Sequence, residues 1–357
     1  MRKESLDFLK RLITTPSPSG FETKGTKVWL DYVKPFADKT FIDSYGNAFA
    51  VLNPDGDPKI FIAGHSDEIG MMVNYIDDKG FIYPKAIGGL DFTVSRAKRV
   101  IIHSKNGPLK GVLGATAIHI WYKADTPPKQ PKLHEQYIDI GVSSKKEAEK
   151  LVKIGDPITY IDDFEMLKGE VAVGRAFDNK IGTFTAAETL RLCAKEKKKL
   201  RACIVAVSAV QEEITQGGAR MAAQNINPDL AIVVDVTHST DSPGIDPKEF
   251  GDVKLGKGPV LTFGSVNHPA ILSRLEGVAK KKRIEVQREA NGSRTYTDAD
   301  VVFTVHKGVP TVTLGLPNRY MHTPVEMINL KDLEKLNNLS AAFVLDLKAK
   351  ERFSVKV

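Results

Sequence analysis

The chain has almost no cysteine. Cys193 and Cys203 are the only two in 357 residues. That is too few for a disulfide framework and suits a reducing compartment, so the sequence predicts a cytoplasmic protein with both thiols packed as small apolar side chains. No apolar run approaches the roughly 20 residues a bilayer span needs. Met1-Arg2-Lys3-Glu4-Ser5-Leu6-Asp7 opens an amphipathic pattern without a signal-peptide core, so no membrane partner is expected. Internal repeats and low-complexity segments are missing too. A formal charge of +7 raises the question of nucleic acid. The densest basic runs, Lys195-Glu196-Lys197-Lys198-Lys199 and Lys280-Lys281-Lys282-Arg283, each close a helical pattern, where cations complement the helix dipole. No RNA-binding aromatic motif or zinc finger accompanies them, so no nucleic-acid partner is expected.

What is present is the composition of a globular protein, 42% hydrophobic and 27% charged. The length exceeds one compact core and predicts two domains. Helical periodicity marks Glu4 to Leu12 and Glu22 to Val33, and a hairpin is predicted from Thr40–Asp43 and Ala48–Leu52 around Ser44-Tyr45-Gly46-Asn47. Lys59 to Gly64 reads as a buried strand that runs into His65. From about Ile69 to Tyr160 the pattern changes to short strands separated by turns, among them Gln136 to Ile140. Thr126 to Lys132, with three prolines, reads as a loop. After Glu170 helices and strands alternate. Helices are predicted at Asn179–Lys195, Gly217–Gln224, Pro269–Lys281, Asp298–Thr304 and Leu330–Leu347, with strands at Ala202–Val210, Leu230–Val236, Ile284–Arg288 and Pro310–Leu314. The expected fold class is therefore α/β, a mostly parallel sheet covered by helices. Its two segments, 1–68 and 161–357, flank a small β-rich insert at 69–160.

Candidate chemistry lies where the predicted strands end. His65 and Asp67 stand two apart after the first buried strand, and extended geometry would put them on one face. A ligating histidine needs its second ring nitrogen held by a carboxylate or carbonyl, a role Asp67 can take; alternatively Asp67 orients the next carboxylate. Asp178 precedes a helix, where it can cap the helix or bridge two cations. Glu212 and Glu213 follow the strand Ile204–Val210. Paired carboxylates also cleave sugars, but glycosidase pairs face each other across the bond at about 5–5.5 Å or 6.5–9.5 Å, and sequence neighbours point apart. Asp235 ends an apolar strand. His322 follows the last strand, with Glu326 four residues on as a candidate partner. Singly each has an ordinary structural explanation. Together, two histidines and three carboxylates (His65, Asp178, Glu213, Asp235, His322) suit two divalent ions such as zinc, cobalt or manganese. The three carboxylates nearly balance two such ions, and one shared hydroxide completes the balance. Glu212 is then left over as a general base.

The motifs Ser17-Pro18-Ser19-Gly20-Phe21-Glu22, Ala63-Gly64-His65-Ser66-Asp67-Glu68-Ile69-Gly70, Arg175-Ala176-Phe177-Asp178-Asn179-Lys180, Gln211-Glu212-Glu213 and His322-Thr323-Pro324-Val325-Glu326, in this order, resemble the M42 family of dinuclear metallo-aminopeptidases, which includes the glutamyl and tetrahedral (TET) enzymes. The resemblance covers nearly the whole chain. It implies that His65 and Asp235 bind one ion and Glu213 and His322 the other. Asp178 would bridge them, Glu212 would act as base and Asp67 would orient His65. It further implies a phosphorylase/hydrolase-like catalytic domain, an inserted PDZ-like dimerisation domain, zinc or cobalt as the two ions, peptide substrates, and homo-oligomers from dimers to a dodecamer. Ile214-Thr215-Gln216-Gly217-Gly218 and Lys180 depart from the commoner family pattern beside the site.

The expected activity is removal of N-terminal residues from peptides. The alternative is a metal-dependent amidohydrolase or deacylase acting on N-acyl amino acids. The preferred N-terminal residue is not encoded in any motif. Thr237–Gly244 and Gly264–His268 are candidate pocket walls.

Overall fold

The computed structural model describes residues 1–121, 132–161 and 163–355. The chain forms two compact units, one of Met1–Glu68, Asp163–Met321 and Val325–Val357, the other of Ile69–Asp162 with His322–Pro324. The first segment supplies helices α1 (Lys3–Thr14) and α2 (Thr23–Val33) and strands β1 (Lys39–Ile42), β2 (Ala48–Leu52) and β3 (Lys59–His65). Next come β4 (Gly70–Ile76), β5 (Ile82–Ile87), β6 (Arg99–Ser104), β7 (Gly107–Leu113), α3 (Ile118–Trp121), β8 (Ile138–Asp139), α4 (Lys145–Leu151) and β9 (Pro157–Tyr160). The chain continues with β10 (Glu165–Met166), β11 (Val171–Gly174), α5 (Phe177–Lys195), β12 (Cys203–Ala209), α6 (Glu212–Thr215), α7 (Gly217–Ile226) and β13 (Leu230–His238). It ends with α8 (Pro247–Phe250), β14 (Val260–Gly264), α9 (Pro269–Lys282), β15 (Gln287–Asn291), α10 (Ala299–Val302), β16 (Thr311–Asn318), β17 (Glu326–Asn329) and α11 (Leu330–Asp346).

The larger unit is built on an eight-stranded sheet in the order β1-β2-β12-β3-β13-β16-β14-β15. Its four central strands, β12, β3, β13 and β16, run parallel. The flanks are mixed: β2 and β14 are antiparallel to the strands they join. The α/β class is as expected, but the parallel character is confined to the centre and to the β14–β15 pair. The hairpin β1–β2 is antiparallel because a short turn, not a crossover helix, joins its strands.

Alternation along the strands assigns their faces. Ile60, Ile62, Ile204, Ile232 and Val234 pack with α1, α2, α5, α9 and α11. Phe61, Ala63, Val205, Ala231 and Val233 pack with α7 and α10. The period of two carries the second parity on to His65 and Asp235. The β3–β13 register pairs Val233 with Ala63, and two more residues bring Asp235 abreast of His65. From the other face, α5 presses directly on β3. A Cβ at Gly64 would overlap the backbone of Gly182 and Thr183, and one at Gly182 would overlap Asn179 and Val234. Glycine at both positions lets the first turn of α5 reach the end of β3.

The smaller unit is a closed barrel in the order β4-β5-β8-β7-β6-β9. Met71, Val73, Ile82, Val100, Ile102, Leu113, Ile138 and Ile158 fill it.

Several element boundaries differ from the sequence reading. β16 runs on to Asn318 because β13, its parallel partner, continues to His238. β15 starts at Gln287 rather than Ile284, since Ile284 and Val286 pack against the core before the ladder with β14 begins. The strand predicted over Gln136–Ile140 shortens to Ile138–Asp139, and the helix predicted over Asp298–Thr304 to Ala299–Val302. Of the predicted loop Thr126–Lys132, all but Lys132 lies outside the described residues. Among the described residues no helix is long and apolar enough to cross a membrane.

Candidate metal centre

The first half of the site forms at the carboxyl ends of the parallel strands, where open α/β sheets bind ligands. His65 closes β3 and is buried. Its Nδ1 lies 3.1 Å from the Asp67 carbonyl and 3.4 Å from Asp67 Oδ1. A carbonyl can only accept, so Nδ1 carries the proton and the Nε2 lone pair points the other way. Nε2 faces three carboxylates: Asp178 Oδ1 at 3.3 Å, Glu212 Oε2 at 3.7 Å and Asp235 Oδ1 at 4.0 Å. His65, Asp178 and Asp235 each present one donor atom within 4.8 Å of the others. Asp178 and Glu213 also present oxygens within 4.8 Å of each other.

Each carboxylate is placed by local structure. Asp178 enters α5 after Ala176, which sits at φ 62°, and the Asp178–Asn179 peptide bond is cis. The Asp178 amide donates to Glu326 Oε2 at 2.9 Å, a contact with no counterpart in the sequence reading. Glu212 and Glu213 open α6 after Gln211 at φ 58°. Left-handed backbone at two non-glycine residues beside the site is a local cost that surrounding contacts must offset. Asp67 supplies part of that support, since its carboxylate accepts the Glu212 amide at 3.0 Å, the Glu213 amide at 3.1 Å and the Ser19 hydroxyl at 2.6 Å. One side chain therefore orients His65 and pins the turn that carries both glutamates. His322 groups with the smaller unit. Its Nδ1 lies 2.8 Å from the Gly89 carbonyl, which fixes the same tautomer as in His65.

The electrostatics call for a cation. Burial raises the pKa of Asp235 well above the ordinary aspartate value, and the charges of Asp178 and Glu212 add to it against the pull of His65. Burial likewise raises Glu212, with Asp178 and Asp67 adding to the effect. Burial would lower His65, but hydrogen bonds to Asp178 and Asp67 and the charge of Glu212 hold it well above 6.5. The carboxylates that hold a proton on His65 would equally hold a metal ion before its Nε2.

Asp298 was missed from sequence. It precedes α10 like a helix cap but makes no capping bond. It is 1% exposed, and neither carboxylate oxygen has a hydrogen-bond partner. Burial drives its pKa well above the ordinary range, and Glu212, Asp235 and Asp67 contribute by repulsion. A buried carboxylate without donors is costly, and divalent ions nearby would offset that cost. The donor set of imidazole and carboxylate also suits zinc, cobalt or manganese, so the residues present fit a metal.

Behind the site, Glu68 is fully buried, paired with Arg175 and with Lys180 Nζ at 2.9 Å, and accepts the Ser17 amide at 2.8 Å. Lys180 also donates to the Thr15 carbonyl at 2.6 Å. The motif Ser17-Pro18-Ser19-Gly20-Phe21-Glu22 thus acts as a brace for Asp67 and Glu68, through Ser17 and Ser19.

Residues 46–339 match the family model described as M42 glutamyl aminopeptidase. The chain belongs to the M42 peptidase family. This M42 chain is 36% identical over 338 residues to a putative aminopeptidase of Acetivibrio thermocellus, covering 93% of this chain and 96% of that protein. It is 32% identical over 346 residues to the lysyl aminopeptidase of Pyrococcus furiosus, covering 96% and 97%. Among solved structures it resembles the TET1 peptidase of Pyrococcus horikoshii, described as assembling into a tetrahedron or a large octahedral shell. The TM-score is 0.86 at 29% identity, covering 96% of this chain and all (100%) of that one. The M42 protein is accordingly an enzyme, an aminopeptidase that hydrolyses peptide bonds.

Proposed function

We propose that this M42 aminopeptidase works with two divalent metal ions, zinc or cobalt. His65 and Asp235 would hold one ion, Glu213 and His322 the other, with Asp178 between them. The observation that carries this reading is the convergence of Asp178, Glu212 and Asp235 on His65 Nε2, at 3.3, 3.7 and 4.0 Å. When bound, the ions supply Lewis acidity toward a carbonyl and a water. Glu212 is the base: its Oε2 faces the ligand cluster, and its raised pKa matches a group that takes a proton from water and returns it to the leaving amine. Asp67 is a positioning residue for His65 and the two glutamates. His322 contributes Nε2, since its Nδ1 proton goes to the Gly89 carbonyl.

The substrate is a peptide with a free N-terminus. The glutamyl name of the family and the lysyl name of one relative leave the preferred side chain open. The closed barrel of residues 69–160 serves as a PDZ-like dimerisation module of a catalytic domain formed by 1–68 and 161–357. The tetrahedral and octahedral shells of the horikoshii protein support a homo-oligomer. The two free, buried cysteines suit a cytoplasmic location.

Metal analysis and turnover of aminoacyl-anilides test the reading together. Glu212→Gln should retain metal and lose at least about a hundredfold in kcat. Full activity in that variant would remove the proposed base. Hydrolysis of N-acetyl amino acids in preference to aminoacyl-anilides would favour a deacylase.

A further inference from the structure

Thr237 stands two residues beyond Asp235 on β13. Strand alternation puts both on the same face, and the rise of about 3.3 Å per residue sets Thr237 about 7 Å further toward the carboxyl end. The sheet face leading away from the candidate metal centre therefore passes Thr237 first. Thr237 Oγ1 donates to Glu289 Oε2 at 3.0 Å, and Thr262 Oγ1 donates to the same oxygen at 3.2 Å. Glu289 lies on β15 directly opposite Thr262 of β14. Hydroxyls from two strands thus fix a carboxylate of a third.

The hydroxyls are neutral donors, so the charge of Glu289 is oriented but not neutralised. Among the described residues no lysine or arginine forms an ion pair with it. Both donors approach Oε2, which leaves Oε1 as the acceptor for an incoming group. A structural carboxylate would more often be paired with a cation, and the chain, at +7, has cations to spare.

We infer that Glu289 is a specificity-determining residue, which selects peptides whose N-terminal side chain is cationic, lysine or arginine. The inference rests on the reading that the scissile bond sits at the His65–Asp178–Asp235 cluster. A residue bound there by its amino terminus can run its side chain along the Asp235 face. An extended lysine spans about 6 Å from Cα to Nζ on standard bond lengths, comparable to the step of about 7 Å from Asp235 to Thr237 along β13. A site with a fixed charged partner rejects side chains that leave it unmatched, and acidic side chains meet like charge.

The test is a panel of lysyl-, arginyl-, leucyl- and glutamyl-anilides with the metal-loaded enzyme, Glu289→Gln, Glu289→Lys and Thr237→Val. The native enzyme should favour lysyl and arginyl over leucyl substrates at least tenfold in kcat/KM. Glu289→Gln should cut that ratio at least tenfold, chiefly through KM, and Thr237→Val should cut it less. Glu289→Lys should turn the preference toward glutamyl substrates. Thermal melting and metal content confirm that each variant is folded and loaded. Turnover without a cationic preference, or a ratio that Glu289→Gln leaves within twofold, overturns the inference alone. Absence of turnover on every anilide overturns the placement of the scissile bond, and the inference with it.

Discussion

At the residue scale, the gathering of Asp178, Glu212 and Asp235 around His65 was legible in the sequence because imidazole and carboxylates recur at the ends of several strands, although each alone has an ordinary structural explanation. The residues that set their geometry were not legible, because their partners lie far away in sequence. The sequence offers Asp67 as a partner for His65 or for the next carboxylate, but not its bonds to the Glu212 and Glu213 amides, which span 145 and 146 positions. Asp67→Ala should therefore weaken metal affinity by roughly ten- to a hundredfold and also lower kcat in the reloaded enzyme, because the glutamate turn is freed. A metal titration followed by kinetics at saturating metal separates the two effects. Gln216 shows the same pattern. In sequence it stands only within a departure from family usage, yet its Nε2 donates to the Thr297 carbonyl at 2.7 Å and to Glu212 Oε1 at 3.3 Å, and its Oε1 accepts from Arg294 at 3.2 Å. Those bonds hold one oxygen of Glu212 and leave the other facing His65. Gln216→Met keeps the volume and removes the donor. It should lower kcat roughly tenfold or more, as small misplacements of catalytic groups do, with KM and metal content near native values. A change in KM alone would argue against positioning.

At the scale of elements, periodicity located the long helices and central strands to within a few residues, because each buries an apolar stripe that the sequence shows directly. It failed where tertiary pairing, not side-chain pattern, decides. β10, β11 and β17 form a three-stranded sheet whose two-residue strand Glu165–Met166 has no pattern to read. The depth at which α5 packs was equally hidden, since it depends on what Gly64 and Gly182 lack. Gly64→Ala would push a methyl group into the backbone of α5. Overpacking of this kind costs about 1–3 kcal/mol, and the shift would displace the turn bearing Asp178. Expected together are a lower melting temperature and weaker metal retention. A variant of native stability with full metal content would show that α5 can yield without disturbing the site.

At the scale of the whole molecule, the buried charges divide into a balanced set and an unbalanced one. Glu68 is balanced. Burial would raise its pKa, but Arg175 and Lys180 bring it to about 2, so its charge stabilises the fold above about pH 4.5 and that stability is lost as pH falls toward 2. Lys180 opposes it: burial and Arg175 outweigh Glu68 and lower its pKa to about 8, which costs stability below pH 8 and is recovered only toward pH 10.5. At about 1.4 kcal/mol per pKa unit the two shifts are each about 3 kcal/mol and nearly cancel near neutrality, so the triad's contribution is geometric. The unbalanced set is Asp235, Glu212, Asp298 and Glu22, all raised chiefly by burial, Glu22 to about 7. With raised pKa values the folded state keeps protons that the unfolded chain has already released, so stability falls as pH rises above the ordinary carboxylate range. His65, also raised, acts in the same direction, because the stability of its charged form is lost as pH climbs through its folded pKa. Glu68 stays ionised between pH 5 and pH 8, and Lys180 begins to release its proton only near pH 8, where it opposes the trend slightly, so the slope below that belongs to the unbalanced set. Chelated protein should melt at a higher temperature at pH 5 than at pH 8. On the proposed reading a divalent ion would take the place of the protons, and at a hundredfold excess over its Kd at pH 8 it would add about 3 kcal/mol there, and less at pH 5, where the carboxylates hold protons. Melting curves at both pH values, with chelator and with added metal, measure the difference directly. If chelated and loaded protein showed the same dependence on pH, the crowded carboxylates would not be the cation site assigned to them.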